Sequence, residues 1–524
     1  MIWLPLMAGL LGLGIVLVFV PFILKYSGRM HLAGRSPDLH HTHKAPVPRL
    51  GGIALAAAFL AINLLTIFLF PRTGNMRDQL IVVGTSLAMF GLGLWDDLKS
   101  LGAKRKLLGQ MLIAVVVCFY GIGITNFKIP FSGEIVSLGS WGVLLTILWL
   151  VGMTNLINLI DGVDGLAGGI SLMLMALLAY VGHQNGDFEL LAPGMAGALL
   201  AFLWFNFPPA RVYLGDSGAY FLGFQIGLLA LVSSHKGTVF AALVAPLFVL
   251  ALPIVDTLLA ILRRGLRGLP IFRPDRRHIH HRLLESGFSR RKVVLSLYAV
   301  TLVFLLLGLL AFASGGQLIP VALGISVLIL LLCAGKLNFS REWFAVGRVL
   351  GNSLHMRQEI QYALSLTHWL ALEGRRHPSI ESLWPDLVFA AHRLGFSSVK
   401  LTLADGVRVW QDPEVNGDGH CCRQELRGGR SGLLELQAPA RNGELSAGGD
   451  RSMNRTATEH SPISDPNLFE ILSELVAEGW LKATQDWEER AQAPLSFSSK
   501  LFTSRRARRS VADLPPVPVL RKDS

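Results

Sequence analysis

Trp141–Gly169 reads WGVLLTILWLVGMTNLINLIDGVDGLAGG. Residues 141–159 are an apolar run long enough to cross a hydrocarbon core of about 30 Å. The run ends in four polar groups, Asn155, Asn158, Asp161 and Asp164, set three residues apart. On a helix this spacing draws a polar stripe that drifts slowly round the axis, and Gly162 and Gly165 then break it where backbone can approach a ligand closely. A carboxylate near bilayer depth costs about 2.5–3.5 kcal/mol on insertion scales, so the stripe marks a functional site unless it serves only hydrogen bonding between helices.

Ten further apolar runs lie near residues 3–24, 50–70, 80–95, 107–125, 166–183, 189–206, 217–233, 239–262, 293–313 and 318–336, making eleven in all. Hydrophobic residues are 52% of the 524 and charged residues 16%, a balance outside that of soluble chains. The expected fold is an all-α polytopic membrane protein of about eleven transmembrane helices. The first run lacks a basic leading segment and a small-residue cleavage site and reads as a retained anchor. With the amino terminus outside, twenty Lys and Arg fall on the inner loops, ten of them between Arg263 and Lys292. Only Arg72, Arg77, Lys128 and Lys236 fall on the outer side, which puts the acidic clusters and the carboxy-terminal half in the cytoplasm. Residues 127–138, with Pro130 and Gly133, read as an external hairpin. Up to Ser340 there are 25 basic and 13 acidic residues, and beyond it 23 of each. The net charge of +12 thus belongs to the membrane half, which points to phosphate and headgroup contact there and away from a nucleic-acid-binding tail.

The organisation divides into a transmembrane domain at 1–340, a cytoplasmic α/β module at 341–490 and a basic, Pro-rich tail at 491–524 expected to be disordered. In the module, 341–395 and 466–482 read as helices, and 398–403, 407–411, 423–427 and 432–437 as short strands, with a polar linker at 442–465. Helix, antiparallel strands and helix in that order suggest a small sensor-like domain of the GAF or PAS kind, its ligand or protein partner unknown. Cys118 and Cys333 lie in apolar runs and Cys421 adjoins Cys422, which gives neither a disulfide framework nor metal-ligand spacing.

Three more clusters carry chemistry. Asp96 and Asp97 close a span ahead of Lys104, Arg105 and Lys106. Adjacent carboxylates repel and need solvent or a cation, either as a solvated helix cap or as ligands to a hard divalent ion. Asn206 to Gly218, NFPPARVYLGDSG, ends one helix and starts another at Gly215-Asp216-Ser217, where free N–H groups suit a phosphate, although Asp216 also fits a plain N-cap. His278, His280 and His281 stand among Arg273, Arg276, Arg277 and Arg282; that surrounding charge opposes a transition metal and favours phosphate recognition. The first inner loop adds His43 and Arg49 beside Gly51 and Gly52.

Taken in order, His43–Gly52, Asp96-Asp97, Lys106–Gln110, Asn155–Gly169, Asn206–Gly218 and His278–His281 closely resemble the motifs of the polyprenyl-phosphate N-acetylhexosamine-1-phosphate transferases, glycosyl transferase family 4. The resemblance covers roughly residues 1–340, with Ser100 where some members have a further acid and Tyr213 where many have Phe. It implies transfer of a sugar 1-phosphate from a UDP-N-acetylhexosamine to undecaprenyl phosphate in the bacterial inner membrane, with release of UMP, dependence on Mg²⁺ (Mn²⁺ as an alternative) and a homodimer left open. By the same resemblance, Asp216 is the principal metal ligand with Asp96 assisting, and Asp97 positions the lipid phosphate or accepts a residual proton. Asp161 and Asp164 lie against nucleotide and metal, and Lys106 meets the lipid phosphate. Asn206 places the uridine, and the His278/His280/His281 loop holds sugar or diphosphate, with His43, Arg49, Asn155 and Asn158 completing the substrate contacts. Asp256, within an apolar span, supports the site or pairs helices. The H-x-H-H form resembles the GlcNAc-1-phosphate branch, which starts O-antigen, teichoic acid and related glycans; the muramoyl-pentapeptide branch more often has three consecutive histidines. An ion-coupled transporter with a regulatory domain would want paired interrupted repeats and charges near the midplane, and neither pattern is visible here.

Overall fold

A computed structural model describes residues 3–27, 47–69, 76–99, 101–128, 135–185, 190–234, 239–267, 279, 283–284, 286–314, 316–336, 358–413, 420–426, 432–439, 466–491 and 495–497. They fall into two compact units whose main boundary lies between Gly351 and Asn352.

The first unit is helical: α1 Trp3–Ser27, α2 Gly51–Leu69, α3 Met76–Leu98, α4 Ala103–Phe119, α5 Ser140–Ile160, α6 Leu166–Asn185, α7 Leu191–Asn206, α8 Gly215–Ser234, α9 Val239–Val249, α10 Ala251–Arg267, α11 Arg290–Ala313 and α12 Ile319–Lys336. Between α4 and α5, β1 (Asn126–Lys128) pairs antiparallel with β2 (Ile135–Ser137), Phe127 opposite Val136, where the hairpin was expected. Seven helices, α1, α2, α3, α5, α6, α8 and α11, are long and apolar enough to cross a membrane. The run at 239–262, expected as one span, is instead α9 and α10 meeting at a 73° bend, an eighth span if the pair is counted as one. Pro253 explains the break, because it has no N–H to give the Val249 carbonyl. Among the described residues, length and composition by themselves qualify seven helices, or eight spans with the bent pair, and this test does not reach the expected eleven. The shortfall lies in α4, α7 and α12: the first two have 17 and 16 residues, roughly 24–26 Å of helix, and the apolar stretch of α12 ends at Leu332.

Helix α8 is the axis of this unit. It packs against α2, α3, α5, α6 and α9, and Ala219, Tyr220, Phe221, Leu222 and Phe224 are all at most 1% exposed. The approach of α3 is close enough that a Cβ on Gly93 would stand 2.5 Å from the Asp216 carbonyl oxygen. Small residues at these crossings let two backbones meet, as in other membrane bundles. The carboxyl end of α3 is thereby fixed beside the amino end of α8.

The second unit contains helix α13 (358–373), α14 (Ile380–Arg393), α15 (Pro466–Ala491) and a four-stranded antiparallel sheet. Its strands are β3 (Ser398–Leu403), β4 (Gly406–Gln411), β5 (Cys421–Glu425) and β6 (Leu433–Gln437), in the order β4-β3-β6-β5. Val399, Leu401 and Leu403 alternate inward along β3 and join Leu434, Leu436, Leu387, Leu472 and Trp480 in one core. A capping box starts α14: the Ser382 N–H donates to Ser379 Oγ (3.2 Å) and the Ser379 N–H to Ser382 Oγ (3.3 Å). On the opposite face, Glu435 joins Lys400 (2.5 Å) and Arg423 (2.6 Å) across three strands.

Candidate active site

Three acidic residues from two helix ends meet in the first unit. Asp97, at the end of α3, accepts the Asp216 N–H on Oδ1 (2.9 Å) and the Ser217 N–H on Oδ2 (2.8 Å). The first turn of α8 was expected to offer free N–H groups to phosphate; two of them are instead capped by Asp97, as a helix amino terminus prefers. Gly215 makes room for this: its φ is +77°, and a Cβ there would lie 2.9 Å from Asp97 Oδ2.

Asp96 is 2% exposed and held on every side. Its Oδ1 accepts the Leu101 N–H (2.8 Å), while Oδ2 accepts the Tyr220 hydroxyl (3.2 Å) and pairs with the Lys106 ammonium. The same ammonium stands 3.7 Å from Asp216 Oδ2. One third of the Asp216 side chain faces solvent, against one hundredth for Asp96. Two hard anionic donors thus converge from separate helices around one cation, with one of them open to an incoming group. A small divalent ion that takes one or two carboxylates and keeps the rest of its shell for water and phosphate suits this donor set.

The end of α5 flanks the pair. Asp161, just past the helix, has its pKa raised well above the usual carboxylate range, first by burial and then by the charges of Asp216 and Asp97, with Arg49 opposing. Arg49 is brought there by the segment before α2: the Tyr213 N–H donates to Pro48 O and the Gly51 N–H to Tyr213 O, both at 2.9 Å. Tyr213 is itself pushed up to about 12 by burial and by Asp164. Asp164 Oδ2 accepts the Ala210 N–H at 3.2 Å. Asn158 is half-buried beside them.

Two residues expected to contact substrate also tie segments of the fold together. The Asn155 amide donates to Gln110 Oε1 (2.6 Å) and to Val151 O (2.8 Å), tying α5 to α4. Asn206, 2% exposed, accepts the Gly165 N–H (3.0 Å) and donates to Val212 O (2.8 Å), pinning the glycine break to the loop before α8. His43, His278, His280 and His281 lie outside the described residues. Ile279 within that histidine segment is described, and its N–H donates to Asp256 Oδ1 at 3.2 Å. Asp256 therefore holds the backbone of Ile279. A cavity of about 50 Å³ lies beside it, lined by Leu159, Ile160, Leu166, Leu252, Asp256 and Ile279 among others.

The sequence profile of glycosyl transferase family 4 matches residues 79–234, which contain every one of these carboxylates except Asp256. A probable undecaprenyl-phosphate N-acetylglucosaminyl 1-phosphate transferase of Bacillus subtilis is 34% identical over 291 residues, 55% of this chain and 80% of the relative. The chain belongs to glycosyl transferase family 4. Two other relatives of this family 4 chain illustrate its range. A decaprenyl-phosphate N-acetylglucosaminephosphotransferase of Mycobacterium leprae is 35% identical over 310 residues, 54% of this chain and 76% of the relative. A phospho-N-acetylmuramoyl-pentapeptide-transferase of Pelotomaculum thermopropionicum is 34% identical over 292 residues, 51% of this chain and 85% of the relative. With its apolar helices of spanning length, this family 4 protein is a multi-pass membrane protein.

Three side chains of the family 4 site escaped the sequence reading. Tyr220 holds Asp96, Tyr298 donates from α11 to Gly165 O (2.5 Å), and Arg291 Nε donates to Pro208 O (2.8 Å). Tyr220 carried a signal, since it lies four residues after Asp216 and so on the same helix face. Tyr298 and Arg291 carried none, because their partners are 133 and 83 residues away.

Proposed function

We propose that this protein transfers GlcNAc 1-phosphate from UDP-GlcNAc to undecaprenyl phosphate, releasing UMP and leaving undecaprenyl-diphospho-GlcNAc, as the first membrane step of a surface glycan pathway. The observation that carries the reading is the meeting of Asp96, Lys106 and Asp216 at the joined ends of α3, α4 and α8. A phosphate monoester has a second pKa near 6, so the lipid nucleophile is already largely ionised at neutral pH. No strong general base is required, and the burden is to bring two anions together in line. Asp96 and Asp216 would hold Mg²⁺, which when bound would neutralise charge on the transferring phosphate. Lys106 and Arg49 add fixed positive charge, while Asp161 and Asp164 border the nucleotide side.

The relatives' names support the acceptor class and the amino sugar, and one of them supports a second reading with a MurNAc-pentapeptide donor. The H-x-H-H order of His278–His281 favours GlcNAc. In this reading the active site faces the cytoplasm of a bacterial inner membrane, eleven segments span it, and the carboxy-terminal unit is a GAF- or PAS-like sensor. The test is purified protein with undecaprenyl phosphate and a panel of labelled UDP-sugars. Lipid-linked label and UMP from UDP-GlcNAc, abolished by EDTA and restored by Mg²⁺, are expected; label transfer that ignores the polyprenyl acceptor rejects the reaction class.

A further inference from the structure

Lys106 occupies an unusual position for a phosphate-binding residue. Its side chain is 28% exposed and its ammonium engages Asp96 Oδ2 and Asp216 Oδ2 together, one oxygen from each of the two carboxylates that would hold a divalent ion. Asp96 has further anchors, the Leu101 N–H and the Tyr220 hydroxyl, so its orientation does not depend on the lysine. The side chain of Asp216 has neither of these anchors and meets only Asp96 and Lys106 among the contacts described, while its backbone N–H is held by Asp97. A cation placed among these oxygens is therefore in direct competition with Lys106: the two positive charges repel at short range and both seek the same lone pairs.

The geometry points to Lys106 as an exchangeable counter-ion, which keeps Asp96 and Asp216 converged until a divalent cation displaces it and then turns its ammonium to the acceptor phosphate. This rests on the transferase reading above for its second half only; the competition itself follows from the ion pairs. The flexible stem and compact charge of lysine fit a group that must change partners, where the fixed fork of arginine would lock both carboxylates.

The two halves predict effects of opposite sign. In full-length protein in detergent at pH 8, with Mn²⁺ as the calorimetric and spin-resonance probe, Lys106→Met binds the ion at least roughly tenfold more tightly than wild type, the order expected when one like charge leaves a half-buried site. The same variant raises KM for undecaprenyl phosphate. A merely structural role would weaken both. Lys104→Met is the control, because Lys104 is exposed two residues before Lys106, about 200° round the helix from it, and its loss changes the net charge equally. Lys106→Arg, which keeps the charge and serves if the Met variant misfolds, weakens Mn²⁺ binding. Equal affinity in wild type and Lys106→Met, an equal gain in Lys104→Met, or unchanged binding in Lys106→Arg overturns the counter-ion role while leaving the metal-dependent transferase intact. Wild-type protein that transfers sugar phosphate yet binds no Mn²⁺ overturns both.

Discussion

Adjacent Asp96 and Asp97 do different work although the chain offers them as a pair. Their side chains leave α3 about 100° apart, so one turns toward Tyr220 and Lys106 and the other toward the first turn of α8. Asp97→Ala removes the side-chain cap from two N–H groups of that turn and should cost about 1–2 kcal/mol, visible as a lower melting temperature together with reduced transfer. Asp216→Asn should lower transfer by at least roughly two orders of magnitude with little change in melting, because its side chain caps nothing and faces the open edge of the site. Equal loss of stability in both variants would contradict this division. Sequence marked these acids as candidates; it could not show which one is a cap, because that depends on a neighbour 119 residues away.

At the scale of elements, the site depends on how helix ends are stapled. Asn206 satisfies the Gly165 N–H and the Val212 carbonyl at once in a place 2% exposed. Asn206→Ala would orphan both and should destabilise the protein by about 2–4 kcal/mol, read from thermal melting, with transfer lost in proportion to folded protein. A variant that melts normally but binds nucleotide poorly would instead assign Asn206 chiefly to the substrate. In the sheet, Glu435 is held below its ordinary range by its hydrogen bond and charge pairing with Lys400, joined by Arg423. Its folded pKa lies below the unfolded value of about 4.5, so its stabilisation is present above that pH and is lost as pH falls through the folded pKa. Hydrogen exchange of β3 and β6 amides, corrected for intrinsic rates, should show Glu435→Gln opening more readily than wild type at pH 7, by less than about 1 kcal/mol, and no difference in strong acid. The strands themselves were legible because alternation along β3 and the turn at Ala404-Asp405 are local. The α9–α10 bend was less so, since an apolar run reads the same whether straight or broken between Val249 and Ala251.

Across the whole molecule, every described residue of the candidate site lies in the first unit, within or near the stretch that matches the family. Removal of residues 352–524 should therefore leave transfer from UDP-GlcNAc intact in a membrane assay, and a variant that is correctly inserted but inactive would assign the second unit a part in catalysis. Apolar length along the chain does not by itself fix the number of spans. Eleven apolar runs are a property of composition, but α4 and α7 come out short for a membrane crossing, and α9 with α10 turns through 73°. The sequence alone determined the membrane class, the helix ends at which acids and bases collect, and the motif order that marks the family, because apolar length, charge and spacing are written along the chain. Only the tertiary structure decided that Asp97 caps α8, that Asn155 and Asn206 join separate segments, that Asp256 holds the Ile279 N–H and that Lys106 bridges two carboxylates. Those roles belong to hydrogen bonds and ion pairs whose partners lie on other segments of the chain, and only the packing of helices around α8 brings them within reach.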